Sequence, residues 1–150
     1  MNDPENSAAG KSIPLELAIM QIYADADAEV RTAGPVCLSS GKCCRFKEYD
    51  HTLFISNLEA AVLLKYAPAY ETPTNKGFCP FQKENLCTAR EPRPLGCRIY
   101  FCDTAYQDKM LVLSEKFTRK LKDLADDKQL PWLYAPLHHF LDNPKDAAPL

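Results

Sequence analysis

Apolar residues along this chain recur at three- and four-residue steps in long stretches, and those steps predict helices. Leu15, Ile19, Ile22, Ala26 and Val30 fall on one face of an amphipathic helix running to about Arg31. Ser12 can cap it with Pro14 in the first turn, where a missing N–H costs little, and Gly34-Pro35 stops it. Ser56-Asn57-Leu58-Glu59 has the form of a capping box, with Ile55 placed to staple against Ala60. The helix it opens runs through Ala61, Val62 and Leu64 to Tyr66 and ends before Pro68. Tyr106, Met110, Leu113, Phe117, Leu121 and Leu124 predict a third helix over 103–128, N-capped by Asp103 or Thr104 and ended by Lys128-Gln129-Leu130-Pro131. Packing alone accounts for the first two helices, with no chemistry required of them. Thr52 to Ile55 reads as a short extended piece. Trp132 to Leu141, broken by Pro136, reads as a turn or short helix. Residues 1–11 read as a disordered tail and 142–150 as a frayed end.

Between the second and third helices the pattern fails. Residues 69–102 contain Pro73, Pro80, Pro92 and Pro94 and show no sustained helical or strand period. Compact domains rarely carry so long a structureless stretch unless something ties it down. Ordering it costs about 1–2 kcal/mol per residue in backbone entropy. Burial of Phe78, Phe81, Leu86, Leu95, Ile99 and Phe101 returns roughly 1.5–3 kcal/mol each, and a structural metal adds on the order of 10–16 kcal/mol. Neither contribution suffices alone. The expected architecture is therefore mainly α: a small single domain over 12–141, with about three helices and a long, irregular Cys/Pro-rich metal-binding loop region.

Composition narrows the chemistry. The 150 residues carry 18 Lys and Arg against 20 Asp and Glu, a net charge of −2, which argues against non-specific nucleic-acid binding. No apolar run approaches the ~20 residues needed to span a bilayer. Met1 to Lys11 is polar and acidic and lacks the basic and apolar regions of a signal peptide, which predicts a cytoplasmic chain. Thiols stay reduced in that compartment. There are seven cysteines, so any disulfide scheme leaves at least one unpaired. Metal binding is the leading reading.

The cysteines fall in two clusters. The first is Cys37-Leu-Ser-Ser-Gly-Lys-Cys43-Cys44; the second is Cys79-Pro80, then Cys87, then Arg93-Pro94-Leu95-Gly96-Cys97-Arg98-Ile99-Tyr100-Phe101-Cys102. Glycine and proline beside the thiols allow tight turns that aim several sulfurs at one centre. Positions 37 to 102 hold nine Lys and Arg against six Asp and Glu, so the thiols lie in the basic part of an acidic chain. Nearby cations offset the charge of a thiolate-bound metal and depress thiol pKa values.

Adjacent side chains in an extended loop point to opposite sides, so Cys43 and Cys44 are not expected to bind one ion together. They can bridge two centres, or one can be a small buried hydrophobe. His51 is the nearest candidate for an eighth donor; His138 and His139, far along the chain, read as surface or packing residues.

Cys37, Gly41, Cys43 and Cys44, followed by Cys79-Pro80, Cys87, Arg93-Pro94, Cys97-Arg98 and Cys102, resemble the YkgJ-type cysteine-cluster family, described as zinc- or iron-chelating. The resemblance spans residues 37–102. Ser40 stands where the family's second cysteine is expected, and serine is a poor ligand; that coordination position is open, filled by water or another side chain, or absent. A related cysteine domain occurs in flagellin lysine methylases, but this chain carries no S-adenosylmethionine loop, and that activity is not transferred to it.

Together these readings point to a cytosolic metal-binding protein. It would hold an iron–sulfur cluster or zinc through Cys37, Cys44, Cys79, Cys87, Cys97 and Cys102, with Cys43 as a further candidate. Intervals of five, seven, nine and four residues depart from the paired C-x-x-C knuckles of Cys-only zinc sites and lean toward iron–sulfur. Two alternatives stay open: a redox or cluster-dependent enzyme with an open metal site, and a purely structural zinc interaction module. No membrane partner is expected, and no protein partner is identifiable. No Ser/His/Asp arrangement, phosphate loop or paired-carboxylate motif marks a catalytic residue.

Overall fold

The computed structural model describes residues 13–35, 52–68, 79–83, 86–101 and 103–150, without the side chains of 82, 83, 86 and 87. The fold is mainly helical, as the periodicity predicts. Helix α1 spans Leu15–Ala33. Strand β1, Phe54–Ser56, leads directly into α2, Asn57–Tyr66. A two-stranded hairpin, β2 (Gln82–Lys83) and β3 (Leu86–Cys87), precedes the short helix α3, Leu95–Ile99. A 3-10 turn at Thr104–Tyr106 opens the long helix α4, Gln107–Asp127. Strand β4 (Tyr134–Pro136), α5 (Leu137–Asp142) and a 3-10 turn at Pro144–Asp146 complete the chain.

The predicted terminators act as expected. Gly34 takes a left-handed φ of 68° and its N–H returns to Val30 O at 2.9 Å, closing α1. Ser56 Oγ accepts from Glu59 N–H while the Glu59 carboxylate accepts from Ser56 N–H, a complete capping box. Ile55 and Ala60 lie in the same apolar cluster, as the staple requires. Asp103 accepts from Ala105 N–H ahead of the third predicted helix. The N-cap of α1, expected at Ser12, is instead Pro14, which makes no side-chain cap; Ser12 and the expected 1–11 tail lie outside the described residues.

Two apolar clusters share α2. The larger joins Ile19, Tyr23, Ala26 and Val30 of α1 to Leu58, Ala61 and Val62 of α2, Leu95 and Ile99 of α3, and Leu113, Phe117 and Leu121 of α4. The smaller gathers Ile55, Ala60, Leu63, Cys79, Phe81, Leu137 and Phe140. Because α2 is apolar on both sides it is buried from Asn57 through Leu63.

The C-terminal part differs from expectation. β4 pairs antiparallel with β1, Phe54 opposite Pro136 and Ser56 opposite Tyr134. Residues 142–150 were expected to fray, yet Ala148 is buried and its N–H donates to Asn57 O at 3.0 Å. His139 Nε2 also lies 2.7 Å from Asp146 Oδ2. Asn57 is the anchor. Its amide reaches Pro131 O and accepts from Leu133 N–H, while its backbone N–H donates to Leu133 O. Among the described residues no helix is long and apolar enough to cross a membrane.

Candidate metal centre

Five residues are too few to hold a helix by themselves, so α3, which carries Cys97 and Arg98, must be held by its surroundings. Its N-terminus is pinned by Glu59, whose Oε1 accepts from Leu95 N–H at 2.8 Å. The other oxygen of Glu59 accepts from Ser56 N–H at 2.7 Å and Ser56 Oγ at 2.9 Å. Burial pushes the Glu59 carboxyl above its ordinary value, while the bonds from Ser56 and Leu95 and the charge of Arg98 pull the other way. The C-terminus is held by Tyr106, whose hydroxyl donates to Ile99 O at 2.7 Å. Gly96 matters for closeness: a Cβ there would stand 2.5 Å from the Leu53 side chain.

Arg98 locks the preceding loop. Buried at 7% exposure, it donates from Nε to Arg93 O at 2.8 Å, from Nη1 to Asp27 Oδ2 at 2.8 Å, and from Nη2 to Glu91 O. Its guanidinium lies 4.2 Å above the Tyr23 ring. One side chain thus ties α1, α3 and the turn at 91–93 together. Burial, with Arg90 and Arg98 adding repulsion, lowers the pKa of Arg93, against the pull of Cys97 and Asp27. Tyr23 is fully buried and its phenol is pushed well above its usual range by burial, then by the charge of Glu59.

The predicted sulfur donors distribute as follows. Cys97 is half-buried on α3, and Cys79 is buried at the entry to the β2–β3 hairpin, against the smaller apolar cluster. Neither is in a disulfide. Cys87 lies on β3, opposite Gln82. The hairpin is extended by Thr88 N–H donating to Phe81 O at 2.8 Å, so positions 79 and 87 share one small unit. Cys37, Cys43, Cys44 and Cys102, with Ser40 and His51, lie outside the described residues. Among the described residues no three His, Cys, Asp or Glu side chains come together as a metal site. His138 is buried and His139 pairs with Asp146, the packing roles expected of them.

Described residues near in sequence to Cys37 and Cys102 lie close to one another. Gly34, Glu29, Asp103, Tyr106 and Lys109 line one groove between the end of α1 and the start of α4. Gly34 is three residues before Cys37, and Asp103 directly follows Cys102. Gln107 Nε2 donates to Phe101 O at 3.1 Å and Asp103 O at 2.9 Å, fixing the backbone on both sides of position 102.

Sequence reasoning missed the residues that hold α3. Tyr23 and Asp27 belong to a helix read as pure packing, and Glu59 was read only as a capping residue. The available signal was Glu59 itself, an acid inside a helix apolar on every side. No protein-family model, no curated protein and no solved structure matches this chain.

Proposed function

We propose that the chain is a cytosolic metal-binding protein of the YkgJ type. It holds zinc or iron, the latter as an ion or an iron–sulfur cluster, through Cys37, Cys43, Cys44, Cys79, Cys87, Cys97 and Cys102. The Pro-rich stretch 69–102 is its gripping region, within one domain that takes in the packed C-terminal residues. The observation that carries this reading is the shared groove of Gly34 and Asp103. Gly34 stands three residues before Cys37 and Asp103 directly after Cys102, so described residues close in sequence to these two cysteines line one groove. The antiparallel packing of α1 and α4, with Lys128 at Ile13 and Lys116 at Glu29, brings residues 34 and 103 to the same end of the core.

The donor set fits the group. Thiolates are soft ligands that select zinc and iron–sulfur centres. A bound metal cross-links the loop and contributes stability on the order of 10–16 kcal/mol for a structural zinc. Elemental analysis with visible spectroscopy, on protein purified without oxygen, tests the reading. At least one zinc, or iron with sulfide, per chain is expected, together with a reduced content in Cys97→Ser. Metal-free protein with all seven thiols open to alkylation would refute it.

A further inference from the structure

An apolar surface beside α4 stays uncovered. Trp132 and Tyr134 stack nearly parallel with ring centroids 6.1 Å apart, and Tyr134 stacks in turn on Phe54 at 5.7 Å. Phe54 and Tyr134 are exposed, as are Leu111 and Val112 near the start of α4, at 67% and 58%. Large apolar side chains gathered in this way mark an interaction surface, which singly scattered ones do not. An open groove of about 610 Å³ runs along it, lined by Trp132 and Tyr134 together with Leu111, Glu115, Arg119 and Lys122 of α4.

The charges in this groove are complementary to themselves. Glu115 and Arg119 stand four residues apart on α4, and at 3.9 Å, with side chains 79% and 72% exposed, neither is committed to the other. A groove of one sign would select a partner of the opposite sign. Opposite charges at i and i+4 do something else: a two-fold axis passing between them sets each against its opposite on a second, antiparallel copy of the helix. The same axis carries Leu111 and Val112 of each copy toward the Lys122 and Trp132 end of the other. There the lysine's methylene stem and the indole ring offer apolar cover. Packed helices cross at about 20–50°, so the ends of α4, with Asp108 at one and Asp126 and Asp127 at the other, diverge from the contact. A net charge of −2 puts little general repulsion in the way.

The geometry points to a two-fold symmetric dimer in which α4 lies antiparallel against α4 of a second copy. Glu115 of each chain pairs with Arg119 of the other, and Leu111 packs toward the aromatic stack. Nothing in this depends on the metal-binding reading.

Sedimentation velocity of the full chain, from micromolar to millimolar concentration and under reducing conditions, tests it. Wild-type chain is expected to pass from monomer to dimer as concentration rises. Glu115→Arg and Arg119→Glu each turn two attractive pairs into two repulsive ones, and each should weaken association about tenfold or more. The double variant Glu115→Arg/Arg119→Glu restores both pairs in reverse and should associate as the wild type does. Leu111→Glu should weaken association without any such rescue. Circular dichroism is expected to show the same helical content in all of these forms, since the substituted positions are exposed. A double variant as weak as the single ones overturns the antiparallel pairing. Association unmoved by every variant places the contact on another face and overturns the proposal too. Wild-type chain that stays monomeric throughout also overturns it, and leaves the groove to a partner other than a second copy.

Discussion

Replacing Glu59 removes the acceptor that joins the start of α2 to the start of α3. In Glu59→Ala, Ser56 N–H and Leu95 N–H both lose their partner inside the core. Each orphaned donor costs about 1–3 kcal/mol, so the gross loss is about 2–6 kcal/mol. The carboxylate's own burial cost disappears with it, which brings the expected net loss to about 2–4 kcal/mol. Glu59→Gln keeps one oxygen for Leu95 but turns an amide NH₂ toward the Ser56 N–H, and is expected to lose about 1–3 kcal/mol. Its pH dependence is the sharper test. Because burial raises the folded-state pKa of Glu59, the folded chain holds that proton more tightly than the unfolded chain. Its contribution is complete below the unfolded value and is lost as pH rises through the folded one. The gap between wild type and Glu59→Gln should therefore be wider near pH ~4 than near pH ~8. Urea unfolding followed by circular dichroism at both pH values, with the slope held common, measures it. A gap that widens with pH, or no gap at all, would refute the reasoning.

Arg98→Met should destabilise by about 2–4 kcal/mol, less than a fully buried pair because Asp27 is 32% exposed, with thermal unfolding as the measure. The same variant should become cleavable in the 91–93 turn under limited proteolysis, since two carbonyls there lose their donor. Asn57→Ala leaves Leu133 N–H without its side-chain acceptor and frees Pro131 O; a loss of about 1–3 kcal/mol is expected. Early protease cuts after residue 130 should accompany it, and an intact C-terminal segment would count against Asn57 as its anchor.

What the sequence made legible was whatever is written locally. The capping box at Ser56, the Gly34 stop, the Asp103 cap and the α4 face each depend on residues within a turn or two of one another. The apolar face of α1 was read through Ile22, but the buried position is Tyr23, and Ile22 is only partly covered. A tyrosine counts ambiguously in a binary pattern, while the steps from Ile19 through Tyr23 and Ala26 to Val30 keep helical spacing equally well. β4 was invisible because three residues ending in proline carry no period, and its partner β1 lies far back along the chain. α3 has five residues, shorter than any window in which a helical repeat can be recognised. The C-terminal end looked polar enough to fray because its anchor is an asparagine at position 57, a contact no local pattern encodes.

The placement of Cys97 follows a different logic from that of the apolar core. Leu95 and Ile99 bury one side of α3, but apolar contact is non-directional and does not by itself fix the rotation or register of a single turn of helix. Directional bonds do. Glu59 fixes where α3 begins, Tyr106 where it ends, and Arg98 how it is turned against α1. Two of these groups, Glu59 and Arg98, are buried and ionisable, the residue types that cores exclude unless they are paired. A loop needing only to pass across the helices would be served equally well by apolar side chains. The proposed role of Cys97 as a metal ligand would set a stricter requirement, because a ligating sulfur must be held to a few tenths of an ångström and degrees rather than merely kept dry. Glu59 from α2, Tyr106 ahead of α4 and Arg98 of α3 itself supply directional fixings of that kind to the short helix that carries Cys97.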